Sequence, residues 1–109
     1  MNKMTEQDKQ LLLKDLCARL PYGVIVHSLG IPHEQKLVSY IPDIEHYSIK
    51  PYLRPISSMT EEEEIYYNTI YITLKFYEKE DWLNAHHFDY RGLIPMGLAL
   101  EAPEGMYYG

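Results

Sequence analysis

The residues best suited to chemistry lie in one polar segment of the C-terminal half, residues 82–92, with the sequence WLNAHHFDYRG. Its polar members are Asn84, His86, His87, Asp89, Tyr90 and Arg91. An imidazole beside a carboxylate can act as a general base, and hydrolases and metal-dependent enzymes both use such groups. His86, His87 and Asp89 are therefore the candidate catalytic residues.

The arrangement of the histidines argues against a metal site. Successive residues of a helix point about 100° apart, so His86 and His87 bind one ion only if a helix ends between them. His27, His33 and His46 stand alone in strand or loop positions, and the sequence has neither an HExxH motif nor a CxxC pair. We therefore predict no metal ligands and no cofactor.

A structural role is the alternative interpretation of residues 82–92. In that interpretation Trp82, His86 and Phe88 pack against a sheet. Asp89 then caps the following turn, and Arg91 pairs with a carboxylate or binds carbonyl oxygens. The sequence contains no glycine-rich phosphate loop and no GxSxG elbow. We favour the structural interpretation, and a small hydrolase or metal-dependent enzyme centred on this segment is the second hypothesis.

Tyrosine is the outlier in the composition, with 11 residues against two Phe and one Trp. A tyrosine offers a large apolar area together with a hydroxyl that tolerates water, so it is enriched where proteins meet other molecules. The composition therefore favours a binding surface over a buried active site. The candidate binding residues are Tyr71, Tyr77, Tyr90 and Arg91.

The charge is distributed unequally between the two halves of the chain. Residues 1–59 carry seven Lys or Arg and six Asp or Glu, a balance of +1, whereas residues 60–109 carry three and ten, a balance of −7, and the sum is −6. An acidic surface repels phosphate, so nucleic-acid binding is disfavoured. We expect a protein partner or self-association instead.

The pattern of residues 5–20 predicts an amphipathic N-terminal helix. Leucines recur at spacings of three and four, Thr5 is suited to cap the first turn, and the residues after Leu20 stop a helix. Cys17 falls on the predicted apolar stripe. We expect it to be a small core residue and not a reactive thiol, because burial raises the pKa of a thiol and blocks access to it.

Four segments have the pattern of strands. Residues 24–29 and 36–41 are rich in apolar and β-branched residues, and residues 44–49 form a third short extended piece. Residues 70–77 alternate most clearly, with apolar side chains at every second position. Residues 50–59, with two prolines and two serines, predict a loop.

Two short helices are predicted in the C-terminal half. Thr60 and Glu63 have the spacing of a capping box, and the acidic run 61–64 suits the positive end of a helix dipole. A second helix is expected over residues 78–86. The predicted fold class is α+β, with an N-terminal amphipathic helix, a small antiparallel sheet of three or four strands and short helices in the C-terminal half.

Composition sets the broad class of the protein. A chain of 109 residues that is 46% hydrophobic predicts one domain, residues 1–109. A single cysteine favours a reducing compartment, so we expect a cytoplasmic location. No stretch approaches the roughly 18 apolar residues that a membrane span requires, so we expect no association with a membrane.

Four stretches resemble a family of small uncharacterised proteins encoded by gut anaerobic bacteria and by their prophages or other mobile elements. They are DLCARLPYG at 15–23, KPYLRPISSMTEEE at 50–63, WLNAHHFDYRGLI at 82–94 and GLALEAPEGMY at 97–107. The resemblance implies an origin and no mechanism. The leading functional hypothesis is a non-enzymatic protein-interaction module, associated with a mobile element, that binds through its tyrosines and its acidic second half.

Overall fold

The structure, a computed structural model, describes residues 4–31, 33–73 and 76–107, and the side chains of residues 70–77 lie outside this described part. Its helices are α1 (Glu6–Arg19), α2 (Glu61–Thr73) and α3 (Phe76–Ala85), with 3₁₀ turns at Leu20–Tyr22 and Ile56–Ser58. Its strands are β1 (Val24–His27), β2 (Gln35–Leu37), β3 (Lys50–Leu53) and β4 (Leu100–Glu101). The α+β class predicted from the sequence is confirmed.

Helix α1 begins at the predicted cap. Asp8 N donates a hydrogen bond to Thr5 Oγ1 at 3.0 Å, and Thr5 N donates to the Asp8 carboxylate at 3.4 Å, which closes a capping box. The chain leaves the following 3₁₀ turn through Gly23, whose φ of +72° is a conformation that favours glycine. Strand β1 starts at the next residue, so the connection between α1 and the sheet is short.

The prediction that Cys17 lies on the buried face of α1 is wrong. Cys17 is exposed, whereas the buried residues of α1 are Leu12, Asp15, Leu16 and Arg19. These four residues follow the spacing of a single helical face. Two charged residues occupy that face because Asp15 and Arg19, one turn apart, form an ion pair with both side chains fully buried.

The strands form one mixed sheet in the order β2-β1-β3-β4. Strand β1 pairs antiparallel with β2 and with β3, and β3 pairs parallel with β4. β1 and β2 form at two of the predicted segments but are shorter. The parallel pair is possible because α2 and α3 lie between β3 and β4 in the chain and provide the long connection that parallel strands need.

Strand β3 forms inside the segment that the two prolines predicted to be a loop, so that prediction is wrong for residues 50–53. Pro51 pairs with Val26 of β1, whereas β4 pairs with the next two residues of β3. At Pro51, therefore, β3 is paired with β1 only. Proline has no backbone N–H, and on the side of β4 no hydrogen bond from this position is needed. Pro51 and Leu53 are buried, which explains the position of the strand in the middle of the sheet.

The prediction of an extended segment at residues 44–49 is also wrong, because the chain forms turns there. Glu45 N and His46 N donate to Asp43 Oδ1 at 3.1 and 3.0 Å, so the aspartate side chain offers the backbone an alternative to pairing in a sheet. The hydrogen bonds of Asp43 lower its own carboxyl pKa. Ile44 and Ile49, at the two ends of the turn, are both buried.

The strand predicted over residues 70–77 is wrong as well. Residues 70–73 continue α2 and residues 76–77 belong to α3. The alternating pattern is short, and the helix that starts after Thr60 extends into it. Thr60 N donates to Glu63 at 2.9 Å and Glu63 N donates to Thr60 Oγ1 at 3.2 Å, so the predicted capping box sets the start of α2, which then continues to Thr73.

The hydrophobic core lies where α1 and the sheet meet the turns that precede β3 and β4. It comprises Leu12, Leu16, Val24, Val26, Leu37, Ile44, Ile49, Leu53, Leu93, Leu98 and Ala99. In the part of the chain that the structure describes, no helix has the length and apolar character needed to cross a membrane.

Candidate functional site

The segment 82–92 leaves α3 through a left-handed turn at His87. His87 N donates to Asn84 O and Phe88 N donates to Leu83 O, each at 3.0 Å, which is the bond pair of a Schellman C-cap. The φ of His87 is +61°, where glycine is the usual residue, and a side chain in this conformation costs about 1–2 kcal/mol. The surrounding contacts must therefore hold this histidine in place.

After the turn, the segment is bound to the end of β3. Arg54 N donates to His87 O and Asp89 N donates to Arg54 O, both at 2.8 Å, so Phe88 bridges to Arg54 in parallel. Phe88 is fully buried. The backbone of the candidate site is consequently an extension of the sheet and not a free loop.

The Asp89 carboxylate is engaged by the backbone of the next turn. Leu93 N and Ile94 N donate to its two oxygens at 2.8 and 2.9 Å, and the side chain is largely buried. This is the capping role that the structural interpretation predicted. Both oxygens are accordingly used to hold the turn after residue 92.

A buried ionic cluster joins this segment to α1. Arg19 donates through Nε and Nη2 to the Asp15 carboxylate at 2.9 and 3.1 Å, and through Nη2 to Phe88 O at 2.6 Å. Arg91 Nε donates to Asp15 Oδ1 at 3.1 Å. One buried carboxylate, that of Asp15, therefore accepts hydrogen bonds from the guanidinium groups of Arg19 and Arg91. With two positive charges and one negative charge, the cluster has a net charge of +1.

Tyr90 extends this cluster to α3. Its hydroxyl donates to Asn84 Oδ1 at 3.1 Å and accepts from Arg91 Nη2 at 2.8 Å. The guanidinium carbons of Arg19 and Arg91 lie 5.7 and 4.7 Å from the centre of its ring. Burial raises the pKa of Tyr90, although Arg91 opposes the shift. Tyr90 and Arg91, two of the predicted binding residues, lie within this internal network.

Arg54 forms a second ionic contact that fixes α2. Its Nη1 and Nη2 donate to the two oxygens of Glu63 at 2.8 and 2.6 Å, and its guanidinium carbon lies 4.2 Å from the centre of the Phe88 ring. Arg54 is 8% exposed. A bidentate pair on this largely buried surface joins the start of α2 to the end of β3.

The two adjacent histidines have different surroundings. His86 stacks with Trp82, with ring centres 4.4 Å apart, and its Nδ1 lies 3.9 Å from Glu63. Burial lowers the pKa of His86, although Glu63 opposes the shift. His87 stacks instead on Tyr107, with ring centres 3.8 Å apart and planes at 17°. The two rings therefore do not converge on one point.

Tyr107 holds the ring of His87 against the sheet. Its hydroxyl donates to Tyr52 O at 2.7 Å and accepts from Ile25 N at 3.0 Å. Burial raises the pKa of Tyr107 to about 12, so its phenol keeps the proton that it donates to Tyr52 O well into the alkaline range. His87 Nδ1 itself is buried and has no hydrogen-bond partner among the residues that the structure describes.

We expect the free energy of unfolding to fall as the pH is lowered from about 6.5 to about 4. Burial lowers the pKa of His87 from 6.5 to about 4, and nearby positive charges add to the shift. These cations are Arg19, His86, Arg54 and Lys36. Within this pH window the unfolded chain binds a proton at His87 that the folded chain excludes, so acid favours unfolding.

Urea unfolding at several pH values checks this expectation. The control variant is His87→Asn, because asparagine tolerates a positive φ and has no titrating group. Its stability should depend less on pH between about 4 and about 6.5 than that of the wild type. Identical pH dependence in the two proteins would show that His87 is not buried as a neutral group.

Among the described residues, no group of three or more His, Cys, Asp or Glu side chains is arranged to hold a metal ion. His86, His87 and Asp89 are close in sequence but engaged with different neighbours. The side chains of Tyr71 and Tyr77, the other two predicted binding residues, lie outside the described part.

Sequence reasoning missed Asp15, Arg19, Arg54 and Tyr107 as members of this site. The i, i+4 spacing of Asp15 and Arg19 signals an ion pair but not its burial. Arg54 lies in the predicted loop, and Tyr107 lies in a segment without periodicity. The chain matches no protein-family model, no curated protein and no solved structure.

Proposed function

We propose that this protein is a non-enzymatic interaction module that binds a basic partner protein through the first half of α2. The surface is formed by Glu61, Glu62, Ile65 and Tyr66, and we call it the docking face. Residues three and four apart are neighbours on a helix, so both glutamates lie beside Ile65 and Glu62 lies beside Tyr66.

The observation that carries the proposal is the exposure of two large apolar side chains on this helix. Ile65 is 61% exposed and Tyr66 is 51% exposed. Single exposed apolar residues are ordinary. Ile65 and Tyr66 point about 100° apart on the helix, with Glu62 between them, so an aliphatic and an aromatic side chain border one acidic face and match the anchors that interfaces use. Burial of such side chains supplies most of the free energy of binding at an interface.

The docking face is held on a rigid support. The Thr60–Glu63 capping box fixes the first turn of α2, and the Arg54–Glu63 pair fixes that turn to β3. The Tyr66 ring also lies 5.5 Å, centre to centre, from the ring of Trp82 on α3. Because these contacts order the helix beforehand, little conformational entropy is lost when a partner binds to it.

Charge indicates the chemistry of the partner. Glu61 and Glu62 are exposed and form no ion pair within the described residues. Residues 60–109 carry three basic and ten acidic residues, so the surroundings of the docking face are acidic. A partner segment with Lys or Arg beside apolar residues complements this face, and attraction between the charges speeds their encounter.

The polar groups of residues 82–92 favour binding over hydrolysis. The Asp89 oxygens accept bonds from Leu93 and Ile94, and the rings of His86 and His87 stack on different aromatic residues. A general base must lie within hydrogen-bond reach of the proton that it abstracts, and catalytic histidines are commonly oriented by a neighbouring carboxylate. The neighbours of these side chains instead hold the fold together.

Two double variants test the proposal against a matched control. Ile65→Ser with Tyr66→Ser removes the anchors, and Val38→Ser with Tyr40→Ser removes an equivalent pair beyond the end of β2, exposed by 61% and 70%. Each purified protein is used to capture partners from lysate of a gut anaerobic bacterium, because the sequence resemblance implies that origin. We expect one basic protein to bind the wild type and the control, and to be lost with the first variant.

Salt and mass measurements complete the test. Binding of that partner should weaken as ionic strength rises, because the exposed charges are screened. Retention of the partner by the Ile65→Ser/Tyr66→Ser protein would contradict the proposal that the partner binds through the docking face. Sedimentation that shows a dimer dispersed by the same variant would instead assign this surface to self-association.

A further inference from the structure

A cavity of about 470 Å³ lies between the start of β1 and the end of α3. Its lining includes Tyr22, Gly23, Lys36, His86, His87 and Tyr107. A volume in this range suits a small molecule. No residue of the docking face lines the cavity, so a ligand bound in it would occupy a different place from the partner proposed for α2.

His87 contributes a fixed and incompletely satisfied polar group to this cavity. The residue is 4% exposed, and its Nδ1 has no partner among the described residues. Rotation of the His87 side chain is restricted, because its ring stacks on Tyr107. The Tyr107 hydroxyl is in turn fixed by hydrogen bonds with Ile25 N and Tyr52 O. Buried polar groups without a partner are rare, and His87, which carries one, is also part of the lining of the cavity.

Lys36 brings a cation to the lining of the same cavity. Its side chain crosses the backbone of Gly23 so closely that a Cβ added there would overlap Lys36 Cε and lie 3.4 Å from Nζ. Within the described residues Lys36 forms no ion pair. Glycine at position 23 therefore makes room for an ammonium group that no internal carboxylate neutralises.

The charged groups around His87 give this part of an acidic protein a positive potential. The ionisable groups that act on His87 are Arg19, His86, Arg54 and Lys36, and of these the two arginines and the lysine carry a positive charge at neutral pH. Asp15 and Glu63 neutralise part of this charge through their pairs with Arg19 and Arg54. Arg19 Nη1 is also buried without a partner in the part of the chain described. An anion in the cavity would experience a net attraction.

We propose that this cavity binds a small molecule bearing an oxyanion, a carboxylate or a phosphate group, with Lys36 supplying charge and the His87 ring supplying a directed hydrogen bond. A neutral imidazole donates from one nitrogen, and an ammonium group donates from three positions around a point charge. Tyr22 and Met106 form less polar walls for the rest of the ligand. The function is binding, and no bond is made or broken.

Nuclear magnetic resonance of the His87 ring tests the proposal at neutral pH. The ring signals are assigned by their loss in His87→Asn. Inorganic phosphate and acetate are titrated in separate experiments, and at least one should shift these signals to a plateau. The anion that saturates at the lower concentration identifies the preferred group, phosphate or carboxylate.

Two lysine variants distinguish binding in the cavity from nonspecific attraction of anions to the protein. Lys36→Gln should weaken binding of the saturating anion by about tenfold or more, because it removes the charge in the cavity. Lys36 and Lys14 are both exposed, but only Lys36 lines the cavity, so Lys14→Gln removes the same charge from α1 and should leave binding nearly unchanged. The proposal fails if neither anion gives a saturable shift of His87, or if the two variants weaken binding equally.

Discussion

Replacing Asp15 by asparagine should lower the free energy of unfolding by about 3–5 kcal/mol. The Asp15 carboxylate neutralises Arg19, whose side chain is fully buried, and also accepts a bond from Arg91. Asparagine keeps the shape but removes the charge, so the Arg19 guanidinium would stay buried without a counterion. Such an uncompensated charge costs far more than the net gain that a buried ion pair provides.

Urea unfolding of the wild type and the variant measures this effect. Asp81→Asn is the matched control, because Asp81 is exposed on α3 and its substitution should change stability by no more than about 0.5 kcal/mol. A loss below about 1 kcal/mol in the Asp15 variant would mean that Arg19 reaches water and that the cluster is not a buried junction between α1 and residues 82–92.

Replacing Arg54 by lysine should lower the free energy of unfolding by about 2–3 kcal/mol although the charge is kept. Arg54 makes two parallel bonds to Glu63 and lies over the ring of Phe88. Lysine can provide a point charge but neither the two-pronged geometry nor the flat stacking surface. The start of α2 would then be held to β3 less firmly.

A double-mutant cycle with Glu63→Gln tests the cause. The combined loss from Arg54→Lys and Glu63→Gln should be smaller than the sum of the single losses, because both changes remove the same contact. Glu62→Gln, one residue away and exposed, provides the control and should have little effect on stability. Additive losses in the cycle would contradict a direct Arg54–Glu63 contact.

The parts of the fold with strong local signals could be predicted from the sequence. The caps at Thr5 and Thr60 are both formed, since a hydroxyl followed by an acidic residue three positions later satisfies the free N–H groups of a helix start. Residues 70–77 could not be predicted correctly, because an alternating pattern this short is also compatible with a helix that is already under way.

The candidate site was harder to predict than the fold. The capping role of Asp89 and the pairing of Arg91 with a carboxylate follow from residue type, and both are found. That this carboxylate is Asp15, 76 positions away, depends on how α1 packs against the end of α3. Arg19 looks like a surface residue in sequence, because only the folded chain brings Phe88 O within 2.6 Å of it.

The buried ionic contacts of this protein support the helix that exposes its apolar docking face. Asp15, Arg19 and Arg91 fix the segment 82–92 to α1, and Arg54 fixes α2 to the same segment. The residues that first suggested catalysis therefore stabilise the support on which Ile65 and Tyr66 are exposed. The binding hypothesis depends on those two side chains and not on the histidines.

Cross-linking from the docking face tests this conclusion most directly. A photoreactive benzophenone side chain replaces Ile65 in one protein and Tyr40, which is 70% exposed, in another. After irradiation in lysate, position 65 should yield one cross-linked basic protein whose amount falls as salt is added, and position 40 should not capture it. A partner that is captured from position 40 and not from position 65 would contradict binding through the docking face.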